Sequence, residues 1–107
     1  TRIKGNPDLS IHIWQPLPWE KLEQLSKENT ENWLSYLKTA PEGEFERVLA
    51  YVNFQKIPYE NLVSDIIMQC INHATYHRAQ YALLLRQANI APPNTDFITF
   101  AREYKVS

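Results

Sequence analysis

The sequence predicts a mainly helical domain in which two long amphipathic helices flank a small β-hairpin. Apolar residues recur with a helical period over residues 19–38 and again over residues 60–88. Residues 45–59, between these stretches, are instead rich in strand-forming side chains. The chain has only two glycines, and its seven prolines fall between the periodic segments. These three observations favour an all-α class with one hairpin.

The composition of the chain fits one domain, which we expect to cover residues 1–107. Of its 107 residues, 44% are hydrophobic and 21% are charged, which is enough apolar material for a core. A net charge of -1 argues against nucleic acid as a partner, because phosphates require a basic face. No apolar run approaches the roughly 20 residues of a membrane span. A single cysteine, Cys70, excludes an internal disulfide and favours a cytoplasmic location.

The first predicted helix covers residues 19–38. Pro18 suits its first turn, where a missing backbone N–H costs little. The segment Pro41-Glu42-Gly43 ends it. One face of this helix carries apolar and aromatic side chains, namely Trp19, Leu22, Leu25, Trp33, Tyr36 and Leu37.

The remaining elements follow from strand formers and helix signals. In residues 45–59, a turn at residues 53–56 separates two short strands. The long second helix covers residues 60–88, with Asn89 at its C-terminal cap and Pro92-Pro93 preventing continuation. Asn94 or Thr95 is expected to cap a short final helix over residues 96–104.

Two histidines, His73 and His77, lie four residues apart in the long helix, within the segment NHATYHRAQ. Each residue turns the helix by about 100°, so the two imidazoles lie about 40° apart. They can present ring nitrogens to one metal ion. The alternative is a pair of core histidines satisfied by hydrogen bonds. We expect them on the inward face, which they share with Leu62, Ile66, Cys70, Tyr81 and Leu84.

The neighbours of the pair have expected roles of their own. Gln80 lies one turn after His77, where its amide can orient an imidazole or bond to backbone. Cys70 lies one turn before His73, and a small buried hydrophobe is favoured there over a metal ligand. Tyr76 is on the flank away from the imidazoles and is expected to pack. Ala74 replaces the glutamate of the zinc-protease box, and no catalytic residue can be named.

Two long helices and one short one do not close a helical bundle. Each can bury only part of its apolar stripe, and the natural completion is four helices, whose core readily hosts metal sites. We therefore expect a partner chain, or residues preceding Thr1, to supply the remainder.

Three segments together resemble the C-terminal part of the DinB-like superfamily of bacterial damage-inducible proteins. They are NHATYHRAQ at residues 72–80, LLRQA at 84–88 and PPNTDFI at 92–98. The hairpin before the long helix resembles the two small strands of that family. The resemblance implies a four-helix bundle, usually a homodimer, with the first helix and most of the second lying upstream of Thr1.

The resemblance also implies a metal site. The family binds a divalent metal, nickel or zinc, through three histidines, and iron is a further candidate because imidazole suits all three. The family's His-x-x-x-His pair corresponds to His73 and His77. Its third histidine belongs to the second helix and is expected upstream of Thr1, because His12 does not match that position. Ala79 stands where the family usually has glycine, on the side away from the imidazoles.

The function implied is that of a divalent-metal-dependent enzyme, either a thiol S-transferase that uses a low-molecular-weight thiol or a hydrolase. A metal held by neutral imidazoles lowers the pKa of a bound thiol or water and so supplies a nucleophile. The alternative is a non-catalytic dimeric bundle with a structural or lost metal site. The near-neutral charge argues against direct DNA contact, whatever the family's name suggests.

Overall fold

The mainly helical class with a hairpin before the long helix is confirmed by a computed structural model, which describes residues 16–104. These residues divide into two compact units, of which the first ends at Ser64 and the second begins at Asp65. No helix within this range is long and apolar enough to cross a membrane. The elements in chain order are α1 (Trp19–Thr39), a 3-10 helix (Glu44–Glu46), β1 (Val48–Val52), β2 (Pro58–Leu62), α2 (Val63–Gln87) and α3 (Phe97–Glu103).

Helix α1 occupies the predicted range within one residue. It follows Pro18, whose carbonyl oxygen accepts hydrogen bonds from the backbone N–H groups of Lys21 and Leu22, both at 3.1 Å. After the helix, Gly43 takes a left-handed conformation with φ 81°, which residues with a side chain rarely adopt. The chain therefore turns sharply between α1 and the hairpin at the predicted place.

The hairpin pairs β1 and β2 in antiparallel register, with Val48 opposite Leu62. The predicted turn at residues 53–56 is confirmed, because the Lys56 N–H donates to the Asn53 carbonyl oxygen at 2.9 Å. The Asn53 side-chain oxygen also accepts the N–H groups of Gln55 and Ile57, both at 2.9 Å. One asparagine thus satisfies the backbone donors of the turn.

The predicted start of α2 at residue 60 is wrong by three residues. Residues 60–62 belong to β2 and pair with β1, so their backbone is extended and not helical. The helix begins at Val63. The Val63 N–H donates to the Arg47 carbonyl oxygen at 2.9 Å, and the residue is completely buried. Leu62 fits both a helical stripe and a strand, so periodicity alone placed the boundary too early.

Helix α2 ends where Asn89 was expected to end it. Asn89 is left-handed, with φ 58°, and its N–H donates to the Arg86 carbonyl oxygen at 3.0 Å. The Ile90 N–H donates to the Leu85 carbonyl oxygen at 2.9 Å. These two bonds form the Schellman arrangement that satisfies the last carbonyls of a helix.

The predicted cap of α3 is one or two residues early. Asp96 occupies the capping position, although its side chain makes no capping bond, and α3 runs from Phe97 to Glu103. Asn94 instead accepts the Asp96 N–H on its side-chain oxygen at 2.9 Å. Asn94 therefore shapes the turn before the helix and does not cap it.

A charged cluster lies between α1 and the hairpin. Glu44, only 8% exposed, accepts hydrogen bonds from the Tyr36 hydroxyl at 2.9 Å and from the Arg47 Nε and terminal nitrogen at 3.1 and 2.6 Å. The bonds from Arg47 and Tyr36 lower the pKa of the Glu44 carboxyl. Burial and the Glu44 carboxylate raise the pKa of Tyr36. One carboxylate thus joins the end of α1 to the start of β1.

Glu44→Gln tests this cluster through its pH dependence. The folded-state pKa of Glu44 lies below its ordinary 4.5, so the ionised group stabilises the fold above that pH. This contribution is lost as the pH falls through 4.5 towards the folded-state value. We expect the variant to be less stable at pH 7 and to lose less free energy of unfolding on acidification to about pH 3.

Urea denaturation of the chain and the variant at a series of pH values measures both effects. Glu46→Gln, which neutralises an exposed carboxylate two residues away, is the matched control. Equal acid sensitivity of the Glu44→Gln variant and the unaltered chain would contradict a stabilising role for the Glu44 carboxylate.

Candidate metal centre

The two histidines of α2 are brought together by their helical spacing. The Nε2 atoms of His73 and His77 are 3.0 Å apart, and the rings stand nearly perpendicular at 89° with their centroids separated by 4.5 Å. Residues four apart lie on the same side of a helix, which accounts for the approach. The two Nε2 atoms therefore lie next to each other on one face of α2.

The separation of these nitrogens fits two ligands of one metal ion. Zinc–imidazole bonds are about 2.0–2.1 Å long, so two nitrogens on a tetrahedral ion are about 3.3–3.4 Å apart. A right-angled pair, as in octahedral coordination, would be about 2.9 Å apart by the same bond lengths. The observed 3.0 Å lies between these limits. A small rotation of either ring would suit either geometry.

Gln80 contacts the ring nitrogen of His77 that faces away from His73. Its side-chain oxygen lies 2.8 Å from Nδ1 of His77. With the amide oxygen in this orientation Nδ1 donates the hydrogen bond, and the neutral ring then has a free lone pair on Nε2. This is the tautomer that a metal ligand requires, which supports the orienting role expected of Gln80.

The two Nε2 atoms lie at hydrogen-bonding distance, 3.0 Å, so in the neutral pair one of them donates to the other. With the Gln80 oxygen accepting from Nδ1 of His77, the donor is Nε2 of His73. A metal ion in contact with both nitrogens would take the place of this proton.

Tyr76 is a member of the cluster that the sequence analysis placed wrongly. Its hydroxyl oxygen accepts a hydrogen bond from the Gln80 side-chain nitrogen at 3.3 Å. Its ring stacks on His73 at 6.1 Å and meets His77 edge-on at 5.4 Å between centroids. The signal was present, because Tyr76 lies three residues after His73 and four before Gln80. The angle of a residue around the helix axis does not show how far a long aromatic side chain extends.

The expectation that the histidines face a buried interior is wrong for the described structure. His73 and His77 are both exposed, and so are their apolar neighbours Tyr81 at 69% and Leu84 at 59%. Within residues 16–104, the buried hydrophobic side chains are Leu49 in β1 and Val63 directly after β2. The histidine face is therefore exposed together with the apolar stripe that accompanies it.

No third ligand joins the pair in the described part of the chain. Among residues 16–104, no group of three or more His, Cys, Asp or Glu side chains could hold a metal ion. Cys70 is exposed and has a free thiol. His12 lies outside the described residues. Within residues 16–104 the candidate site therefore consists of two imidazoles, and any further ligand would have to come from other residues.

Comparison with known proteins agrees with the resemblance of the motif. The model of a family described as the DinB family matches residues 9–105. A relative, Protein DinB of Bacillus subtilis (strain 168), is 28% identical over 78 residues. That match covers 73% of this chain and 44% of the relative, so the chain spans less than half of the relative's length. No solved structure matches the chain.

Gln80→Leu tests whether the amide selects the tautomer of His77. The leucine keeps most of the side-chain bulk but removes the oxygen that accepts from Nδ1. We expect the proton of the neutral ring to redistribute between Nδ1 and Nε2, because the bond favouring Nδ1–H is lost. Nitrogen-15 NMR of the metal-free chain at a pH where the imidazoles are neutral measures this distribution.

The matched control for this measurement is Gln69→Leu, the same change at an exposed position of α2. It should leave the His77 signals unchanged. A predominantly Nδ1–H ring in the Gln80→Leu variant would show that the amide does not select the tautomer.

Proposed function

The chain belongs to the DinB family, and we propose that it acts through a divalent metal ion ligated by His73 and His77. The observation that carries this proposal is the 3.0 Å approach of the two Nε2 atoms, with the Gln80 side-chain oxygen 2.8 Å from Nδ1 of His77. Nickel and zinc are the first candidates and iron the third, since imidazole ligates each of them.

The residues of the chain support such a site in a defined way. His73 and His77 bring two ring nitrogens together, and the Gln80 oxygen lies within hydrogen-bonding distance of the opposite nitrogen of His77. Two imidazoles leave several coordination positions for other ligands and for a substrate. The proposal requires at least one further ligand, and the family's third histidine, which His12 does not match, is our candidate.

The proposed reaction class is thiol S-transfer or hydrolysis. A divalent ion at this position would lower the pKa of a bound low-molecular-weight thiol or water molecule and make it nucleophilic at neutral pH. The chain's own contribution is to hold and orient the ring nitrogens. The rings and the phenol of Tyr76 would form one wall beside the ion.

A second candidate is a non-catalytic dimeric bundle whose metal is structural or lost. The exposure of apolar side chains beside the histidines favours it, because Leu84 and Tyr81 are 59% and 69% exposed. Large apolar side chains grouped on one helix face are typical of surfaces that associate. A homodimer is the proposed assembly in both cases, so metal content and turnover must decide between them.

His77→Ala tests the metal site. We expect the protein purified from medium supplemented with Ni²⁺ or Zn²⁺ to retain about one ion per chain after desalting, and the variant to lose most of it. Elemental analysis by mass spectrometry measures the content, and circular dichroism checks that both proteins are equally helical.

His12→Ala is the matched control, because it removes an imidazole outside the proposed pair. It should retain the metal content of the unaltered protein. Equal metal content in His77→Ala and the unaltered protein would remove the pair as the site.

A conjugation assay separates the enzyme from the structural alternative. The metal-loaded protein is incubated with a low-molecular-weight thiol and a reactive organic halide, and thioether formation is followed. We expect a rate above the uncatalysed background that disappears in His77→Ala, since the ion activates the thiol. Metal binding without turnover across several thiols, and without hydrolysis of activated esters, would favour the structural role.

A further inference from the structure

We draw no further inference here: the strongest candidate, the exposed surface patch of aromatic side chains that Phe97 and Phe100 of α3 form with Tyr104 at its C-terminal end, carries nothing, because nothing in the described part of the chain shows what covers it.

Discussion

The four-residue spacing of His73 and His77 on helix α2 is the constraint on which the proposed metal chemistry depends. The four-residue spacing brings two Nε2 atoms to 3.0 Å, and the same geometry lets Gln80 reach back to His77. A spacing of five residues instead of four would separate the imidazoles by about 140° around the helix and disperse the cluster. The local backbone therefore places the two candidate ligands and the side chain of Gln80 together without help from distant parts of the chain.

Two features distinguish the histidine pair from a complete metal site, namely its exposure and the lack of a third ligand among residues 16–104. Water weakens the electrostatic attraction between an ion and an exposed imidazole, whereas the same attraction is stronger in a covered site. His73 and His77 share their face with Leu84 and Tyr81, which are also exposed. Any surface that buries the apolar pair would therefore also shield the imidazoles, so assembly and metal chemistry are coupled in the proposed function.

The hairpin unit is stabilised by a hydrogen-bonded ion pair and not by a spacing within one helix. Glu44 is buried but satisfied, because Tyr36 and Arg47 donate three hydrogen bonds to its oxygens. Nearby, Val63 is completely buried at the point where β2 passes into α2. The Val63 N–H donates to the carbonyl oxygen of Arg47, the residue whose side chain binds Glu44, so the first residue of α2 is hydrogen-bonded to this cluster's backbone.

Local patterns in the sequence determined the helices, the hairpin turn at Asn53, the helix end at Asn89 and the spacing of the histidines. Each depends on neighbours within about one turn, and such short-range preferences are readable from residue order. Only the tertiary structure decided that α2 starts at Val63 and that Glu44 joins Tyr36 to Arg47. These depend on strand pairing and on side-chain rotamers, which hydrophobic periodicity does not encode.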